Sequence, residues 1–162
     1  MKIDEILRSN GIDVILTRST DSAIYDKDAK TIREKYLSDM RKRREIIRKS
    51  GADLFLSIHM NAFGDPTASG LHIFYDKEHG EIKRLAENMQ EGISKITNAK
   101  TNCVQTVDER LFLMKNPVMP SILAECGFLS NPEEEQKLMD EEYRSKIAWA
   151  IAEEVVKYYE ME

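Results

Sequence analysis

Short runs of apolar residues alternate along this chain with longer segments in which apolar residues recur every three or four positions. The short runs are typical of strands buried on both faces of a sheet, and the longer pattern is typical of amphipathic helices. The runs predict strands at residues 12–17, 53–58, 71–75, 111–114 and 121–124. The longer pattern predicts helices at residues 3–9, 31–49, 81–97 and 142–159, and another that begins at Asn131-Pro132-Glu133. Because strands and helices alternate, we expect an α/β fold: a single domain with a twisted, mainly parallel sheet and helices on both faces.

The apolar stripes of the longer helices predict which side of each helix faces the core. In the helix at 81–97 the stripe consists of Ile82, Leu85, Ala86, Met89, Ile93 and Ile96. In the helix at 31–49 it consists of Ile32, Tyr36, Met40 and Ile47, and in the last helix of Tyr143, Ile147, Ile151 and Val155. All three sets recur at the helical period, so we expect them to be buried.

The charge of the chain bears on the partners it can bind. Its net charge is −5, which argues against a nucleic-acid binder because phosphate neutralisation requires a basic surface. Residues 41–49 nevertheless contain six basic residues and one acidic residue. We interpret this run as a solvated helix face, with a nucleic-acid adaptor as the alternative. No stretch reaches the roughly 18 apolar residues of a membrane span, and no signal-peptide pattern opens the sequence.

His59 follows the apolar run at residues 53–58 and precedes Met60-Asn61-Ala62-Phe63-Gly64. A strand in this position carries the imidazole to the edge of the sheet, where the carboxyl ends of strands form binding sites. Neutral imidazole is the commonest metal ligand. Asn61 and Gly64 permit a tight turn that leaves room for a ligand, and we expect Asn61 to contact substrate. The alternative is a histidine whose polar atoms are satisfied by the backbone at the strand end.

Glu125 follows a second apolar run and precedes Cys126 and Gly127. A partly buried carboxylate can act as a general base toward water and then as a general acid toward a leaving amine. The alternative is a carboxylate that caps the following turn or pairs with an arginine. One histidine and one glutamate do not hold a catalytic zinc, which normally takes three protein ligands and a water.

The other histidines and the cysteines are weaker candidates. His72 lies on one face of the strand at 71–75, and His79 precedes a helix. Neither belongs to a spaced pair of ligands. Cys103 and Cys126 form neither a zinc site nor a disulfide framework, and we expect Cys126 to be a packing residue.

Four segments of the chain match the pattern of a known family: residues 12–18, 52–62, 70–75 and 120–131. The most specific parts are Ser57-Ile-His-Met-Asn61 and Glu125-Cys-Gly-Phe-Leu-Ser-Asn131. In these segments the chain resembles the zinc-dependent N-acetylmuramoyl-L-alanine amidases of bacterial cell walls. The Glu-Cys-Gly variant and the compact length also resemble the members that act on the spore cortex.

The resemblance implies a peptidoglycan hydrolase that cleaves the amide bond between N-acetylmuramic acid and the L-alanine of the stem peptide. It implies Zn²⁺ as the cofactor, with His59 as one metal ligand. It assigns to Glu125 the activation of the attacking water and the protonation of the departing amine. It also implies action outside the cytoplasm, in the cell wall or spore envelope, with peptidoglycan and a protein activator as partners.

The sequence departs from the family pattern at its beginning. Members of the family begin with a strand that ends in Asp-Pro-Gly-His-Gly-Gly, whose histidine is the first zinc ligand, and a glutamate ligand follows shortly after. This sequence begins at the helix that comes next. We therefore expect residues 1–162 to form an amidase-like catalytic domain that is incomplete at its N-terminus and poor in metal. The alternative is a non-catalytic cell-wall binding or regulatory module, which leaves the presence of Glu125 unexplained.

Overall fold

The fold consists of five α-helices and a four-stranded sheet, seen in a computed structural model that describes residues 2–102, 104–107 and 111–160. The helices are α1 (Lys2–Ser9), α2 (Ile32–Lys49), α3 (Lys83–Thr97), α4 (Pro132–Met139) and α5 (Glu141–Glu160), with a 3₁₀ turn at Gly80–Ile82 before α3. The strands are β1 (Phe55–Asn61), β2 (His72–Tyr75), β3 (Gln105–Thr106) and β4 (Ser121–Phe128). The predicted single α/β domain is confirmed.

The sheet has the strand order β1-β4-β2-β3. β1 runs parallel to β4, and β2 runs parallel to β3, but β2 runs antiparallel to β4. The sheet is therefore mixed, with parallel pairs in the majority. β4 is the central strand, and all its residues are buried except Glu125, which is half-buried. Because β4 has a neighbouring strand on each edge and nearly all its residues are buried, its sequence is a continuous apolar run.

The main core lies between the sheet and the helices α1, α3 and α5. The predicted stripe of α3 is buried, apart from Ile96, which is half-buried at the end of the helix. In α5, Ile147, Ile151 and Val155 are buried and Tyr143 packs against the same cluster. The helical periodicity of the sequence thus identified the core-facing sides of both helices.

The beginnings of α2 and α4 follow from their capping residues. Thr31 and Glu34 form a capping box, in which each side chain accepts a hydrogen bond from the backbone N–H of the other residue. The Asn131 side chain accepts hydrogen bonds from the N–H groups of Glu133 and Glu134, and Pro132 occupies the first helical turn. Both predicted helix starts are confirmed.

Two predicted strands are wrong. Residues 12–17 form no strand, because no strand of the described residues pairs with this segment and the free edge of β1 does not take it up. The Val14 carbonyl instead accepts a hydrogen bond from the Arg8 guanidinium. Residues 111–114 form a turn, closed by a hydrogen bond of 3.0 Å from the Met114 N–H to the Leu111 carbonyl. Both segments contain the apolar residues typical of a strand, but a strand also requires a partner strand to which it can hydrogen-bond.

The predicted apolar stripe of α2 is only partly buried. Ile47 is buried, but Ile32 is 89% exposed and Tyr36 is 57% exposed. The amino-terminal half of the helix is therefore not covered by an apolar layer of the described residues.

A buried carboxylate anchors this half of α2 to the preceding loop. Asp39 is only 4% exposed and accepts hydrogen bonds from the Ile24 N–H at 2.6 Å and from the Arg43 guanidinium at 2.7 Å. Burial opposes ionisation of Asp39, but the hydrogen bonds and positive charges around it hold its pKa below the ordinary value. The polar loop that precedes α2 thus packs on the helix through charged groups.

None of the helices in the described ranges is sufficiently long and apolar to cross a bilayer.

Gly70 should be intolerant of any side chain. Its φ angle is +100°, and an added Cβ would stand 2.7 Å from the backbone oxygen of Lys100. We expect Gly70→Ala to lower the free energy of unfolding by about 1–3 kcal/mol, measured by urea denaturation. Gly64→Ala is the matched control, because nothing lies within 4 Å of its Cβ position. Equal stability of the two variants would contradict the expectation.

Candidate functional site

Three titratable side chains form a row across the sheet. Glu125 on β4 lies opposite His59 on β1 and opposite His72 on β2. Directly opposed residues of neighbouring strands project from the same face of a sheet, so the three side chains share one face. The row therefore contains the two main candidates from the sequence, His59 and Glu125, and the weaker candidate His72.

The antiparallel direction of β2 explains why His72 joins the row. His72 is the first residue of β2, and in a parallel sheet it would lie at the opposite end from Glu125 and His59. Because β2 runs against β4, the beginning of β2 meets the later part of β4. The alternation of residues in β2 indicated that His72 lies on one face of the sheet. It did not indicate that β2 runs antiparallel to β4.

Glu125 has a carboxylate oxygen without a partner. Its Oε2 atom is buried and accepts no hydrogen bond from the described residues. Burial raises the pKa of Glu125 above the ordinary value. Glu125 lies inside β4 rather than at the strand end that the sequence predicted, because β4 continues to Phe128. Buried polar atoms in proteins are nearly always hydrogen-bonded, so an unpaired one on the sheet face indicates a site that takes a further group. The alternative roles of cap and arginine partner are not seen in the described residues.

The surroundings of His59 favour its neutral form. Its side chain is exposed at the surface, but the protein around the ring still removes water, which lowers the pKa of His59. The positive charges of Arg43 and Arg18 lower it further. A neutral imidazole has a free lone pair for a metal or a proton. The environment therefore favours a ligand role over a permanent positive charge.

His72 is more enclosed by aromatic neighbours. Its ring lies edge-on to Phe128, with the centroids 5.5 Å apart, and 6.1 Å from Phe74. Burial lowers the pKa of His72, while a hydrogen bond with Asn102 and the charge of Glu134 act in the opposite direction. These contacts fix the position of the His72 ring within the row.

Asn61 connects the ends of the two strands that carry His59 and Glu125. Its Oδ1 accepts a hydrogen bond of 2.8 Å from the N–H of Ala62, and its backbone carbonyl accepts one of 2.8 Å from Leu129. The tight turn expected directly after His59 is not formed there, because β1 continues to Asn61 and the next turn is closed by a hydrogen bond of 3.1 Å from the Ala68 N–H to the Asp65 carbonyl. Contact of Asn61 with substrate stays a prediction.

His79 and Cys126 lie outside the chemistry of the row. The Nδ1 atom of His79 is 2.7 Å from Asp76, whose carboxylate also accepts a hydrogen bond from Ser121 at the other end of β4. Cys126 is buried, and burial raises the pKa of its thiol to about 12, which fits a packing residue. Cys103 lies outside the described residues.

The side chains of the described residues do not by themselves complete a zinc site. Catalytic zinc normally takes three protein ligands. Among residues 2–102, 104–107 and 111–160, no group of three or more His, Cys, Asp or Glu side chains is arranged to hold a metal ion. His59 fits one ligand position, and the unpaired oxygen of Glu125 fits a base beside it, but the remaining ligands are not found in these ranges.

Sequence reasoning missed Glu134, which fixes the site's geometry. One carboxylate oxygen of Glu134 accepts from the Gly70 N–H at 2.8 Å, and the other accepts from the Phe128 N–H at 2.7 Å. Glu134 thereby joins the segment before β2 to the end of β4. The spacing from Asn131 to Glu134 is that of a capping box, which was a usable signal for a structural carboxylate.

Comparison with known proteins gives a consistent result. A family model described as N-acetylmuramoyl-L-alanine amidase matches residues 1–157. The germination-specific N-acetylmuramoyl-L-alanine amidase of Bacillus subtilis is 30% identical over 158 residues, which is 98% of this chain and 66% of that protein. AmiA of Escherichia coli is 30% identical over 97% of this chain and 64% of its own length. The chain thus spans about two thirds of the length of these relatives.

Solved structures show the same fold. The CwlD amidase of Clostridioides difficile, solved in complex with the GerS lipoprotein, aligns with a TM-score of 0.92 and 40% identity over 99% of this chain and 82% of that one. The catalytic domain of CwlV from Bacillus (Paenibacillus) polymyxa aligns with a TM-score of 0.80 and 25% identity, over 99% and 80% of the two chains.

Replacement of Glu125 by Gln should stabilise the metal-free protein at neutral pH by about 1 kcal/mol, because the buried unpaired charge is removed. Since the pKa of Glu125 is raised by folding, the folded state binds this proton more tightly than the unfolded chain. The penalty on the wild type is present above the folded pKa and vanishes as the pH falls below the ordinary value of 4.5. Urea unfolding with a chelator present, at about pH 8 and pH 4, measures the difference.

The exposed Glu135→Gln serves as control for that experiment and should leave the stability unchanged at both pH values. A Glu125→Gln protein that is no more stable than the wild type at the higher pH would contradict the assignment of an unpaired carboxylate.

Proposed function

The chain belongs to the N-acetylmuramoyl-L-alanine amidase family, and from that premise we propose that it hydrolyses the amide bond between N-acetylmuramic acid and the L-alanine of a peptidoglycan stem peptide. The observation that carries the proposal is the unpaired, buried oxygen of Glu125 in a row with His59. A carboxylate with a raised pKa beside an imidazole with a lowered pKa is suited to moving a proton during amide hydrolysis, which supports the proposal.

Glu125 would move the proton in this reaction. Its carboxylate accepts a proton from the attacking water and then delivers it to the departing α-amine of L-alanine. Burial supports both steps, because a carboxyl group with a raised pKa holds the proton long enough to return it. The attacked carbonyl carbon becomes a carboxylic acid, and the peptide leaves with a free amino terminus. Asn61, the last residue of β1 and two residues after His59, is the proposed contact to substrate.

We propose Zn²⁺ as the cofactor, with His59 as one of its ligands. The lowered pKa of His59 supports this role, because a metal ligand must be neutral imidazole. The described residues do not supply the other ligands, so a metal would be held weakly by these ranges alone. When bound, zinc supplies polarisation of the carbonyl and acidification of water.

The biological setting is proposed from the relatives. The germination-specific enzyme of Bacillus subtilis and the CwlD amidase support a role on the spore cortex, outside the cytoplasm. The CwlD amidase was solved with the GerS lipoprotein, which supports a protein partner for this chain as well. Peptidoglycan is the proposed substrate and macromolecular ligand.

The second candidate is a non-catalytic module that binds the cell wall or regulates an amidase. The absence of a three-ligand group among the described residues favours it. The same fold would then present His59 and Glu125 without turnover. The two functions differ in whether new amino termini appear.

The test is release of L-alanine amino termini from purified peptidoglycan, detected by mass spectrometry, with zinc in excess to occupy a weak site. We expect turnover by the wild type and its loss by about 10²–10⁴-fold in Glu125→Gln. The control is Asp140→Asn, at the exposed residue that caps the carboxyl end of α4. This variant should keep wild-type turnover.

Turnover that persists in Glu125→Gln would contradict the assignment of the base. Binding to peptidoglycan without any release of amino termini, at every zinc concentration, would contradict hydrolysis and establish the second candidate.

A further inference from the structure

A positively charged groove lies beside α2, away from the row of His59, Glu125 and His72. It is lined by Arg41, Arg44, Glu45, Arg48, Lys49 and Phe112, and has a volume of about 650 Å³. Four of the lining side chains are basic and one is acidic, whereas the whole chain has a net charge of −5. This local excess of positive charge is opposite in sign to the protein as a whole.

Three arginines of the groove share one side of the helix. Arg44 follows Arg41 by three residues and precedes Arg48 by four, and residues with these spacings are neighbours on a helix surface. Their guanidinium groups therefore face the same groove. Arg41 and Arg48 make no ion pair or hydrogen bond with any residue in the described ranges, so both are available to a ligand.

Arg44 is held in place by the opposite wall. Its guanidinium lies 5.3 Å from the centre of the Phe112 ring and donates a hydrogen bond of 3.2 Å to the Lys115 carbonyl. A guanidinium fixed in this way loses little entropy when it binds an anion. Lys49, in contrast, forms an ion pair with Glu45, in which its Nζ lies 2.6 Å from a carboxylate oxygen. The three arginines therefore supply the positive charge that is available to a ligand.

The groove and the row are linked through the charge of one residue of α2. Arg43, the residue next to Arg44, carries a positive charge that acts on His59 and lowers the pKa of that histidine. The helix that lines the groove therefore lies within electrostatic range of the row.

We propose that the groove binds free carboxylates of a stem peptide on the same peptidoglycan polymer whose amide is cleaved, an inference that rests on the proposed function. Guanidinium groups match carboxylates with paired, charge-assisted hydrogen bonds. Stem peptides carry such carboxylates at repeated positions along the glycan, which suits several arginines in one line. The partner is thus an anionic peptide segment of the wall polymer.

The test measures binding, separately from turnover. All proteins carry Glu125→Gln so that the polymer stays intact, and binding is measured by co-sedimentation with peptidoglycan stripped of phosphate polymers by acid. We expect Arg41→Gln/Arg48→Gln to weaken binding by about tenfold or more, since two charged contacts are lost. The control Arg84→Gln/Lys100→Gln removes the same charge at exposed positions elsewhere and should leave the affinity unchanged.

A second arm converts the carboxylates of the polymer to amides with carbodiimide and ammonia. The parent protein should then bind as weakly as the groove variant, and the groove variant should lose nothing more. Equal effects of the groove and control variants would overturn the proposal, as would unchanged binding to the amidated polymer. Binding only to polymer that retains phosphate, or tighter binding to an oligonucleotide, would also overturn it. Failure of amide hydrolysis with these binding results intact would refute the proposed function but not the groove.

Discussion

The central strand β4 is the constraint on which the structure depends. It is paired on both edges and buried along nearly its whole length, so its register relative to β1 and β2 is strongly specified. A slip by one residue would turn Glu125 toward the core and the apolar Ala124 toward the row. The same pairing that buries the core therefore places the carboxylate between two histidines.

A carboxylate holds each end of this strand, the buried Asp76 at its beginning and the half-buried Glu134 at its end. Asp76 accepts a hydrogen bond of 2.7 Å from the Ser121 N–H where β4 begins, and Glu134 accepts one of 2.7 Å from the Phe128 N–H where it ends. Unpaired buried N–H groups are costly, so each carboxylate stabilises an otherwise unsatisfied donor. Glu125 lies between these two satisfied ends, and its buried Oε2 has no partner in the described residues. That contrast separates a carboxylate used for structure from one available for chemistry.

The sequence predicted the parts of the fold that depend on local pattern. His59 and Glu125 were found because each follows an apolar run, and the helices were found from their periodicity and caps. Strand partners and directions are properties of the whole sheet, so the strands at 12–17 and 111–114 were predicted wrongly, and the position of His72 opposite Glu125 was not predicted. Ile32 and Tyr36 on α2 are exposed for a related reason. The apolar stripe of a helix is buried only where another part of the protein covers it.

The site combines a base in a suitable environment with too few metal ligands in the described residues. The most direct measurement is the zinc content of the protein by elemental analysis after dialysis against zinc-free buffer. Because His59 alone is assigned as a ligand, we predict far less than one zinc per chain, with weak uptake that is lost in His59→Ala. About one zinc per chain surviving dialysis, unaffected by His59→Ala, would contradict this account of the site.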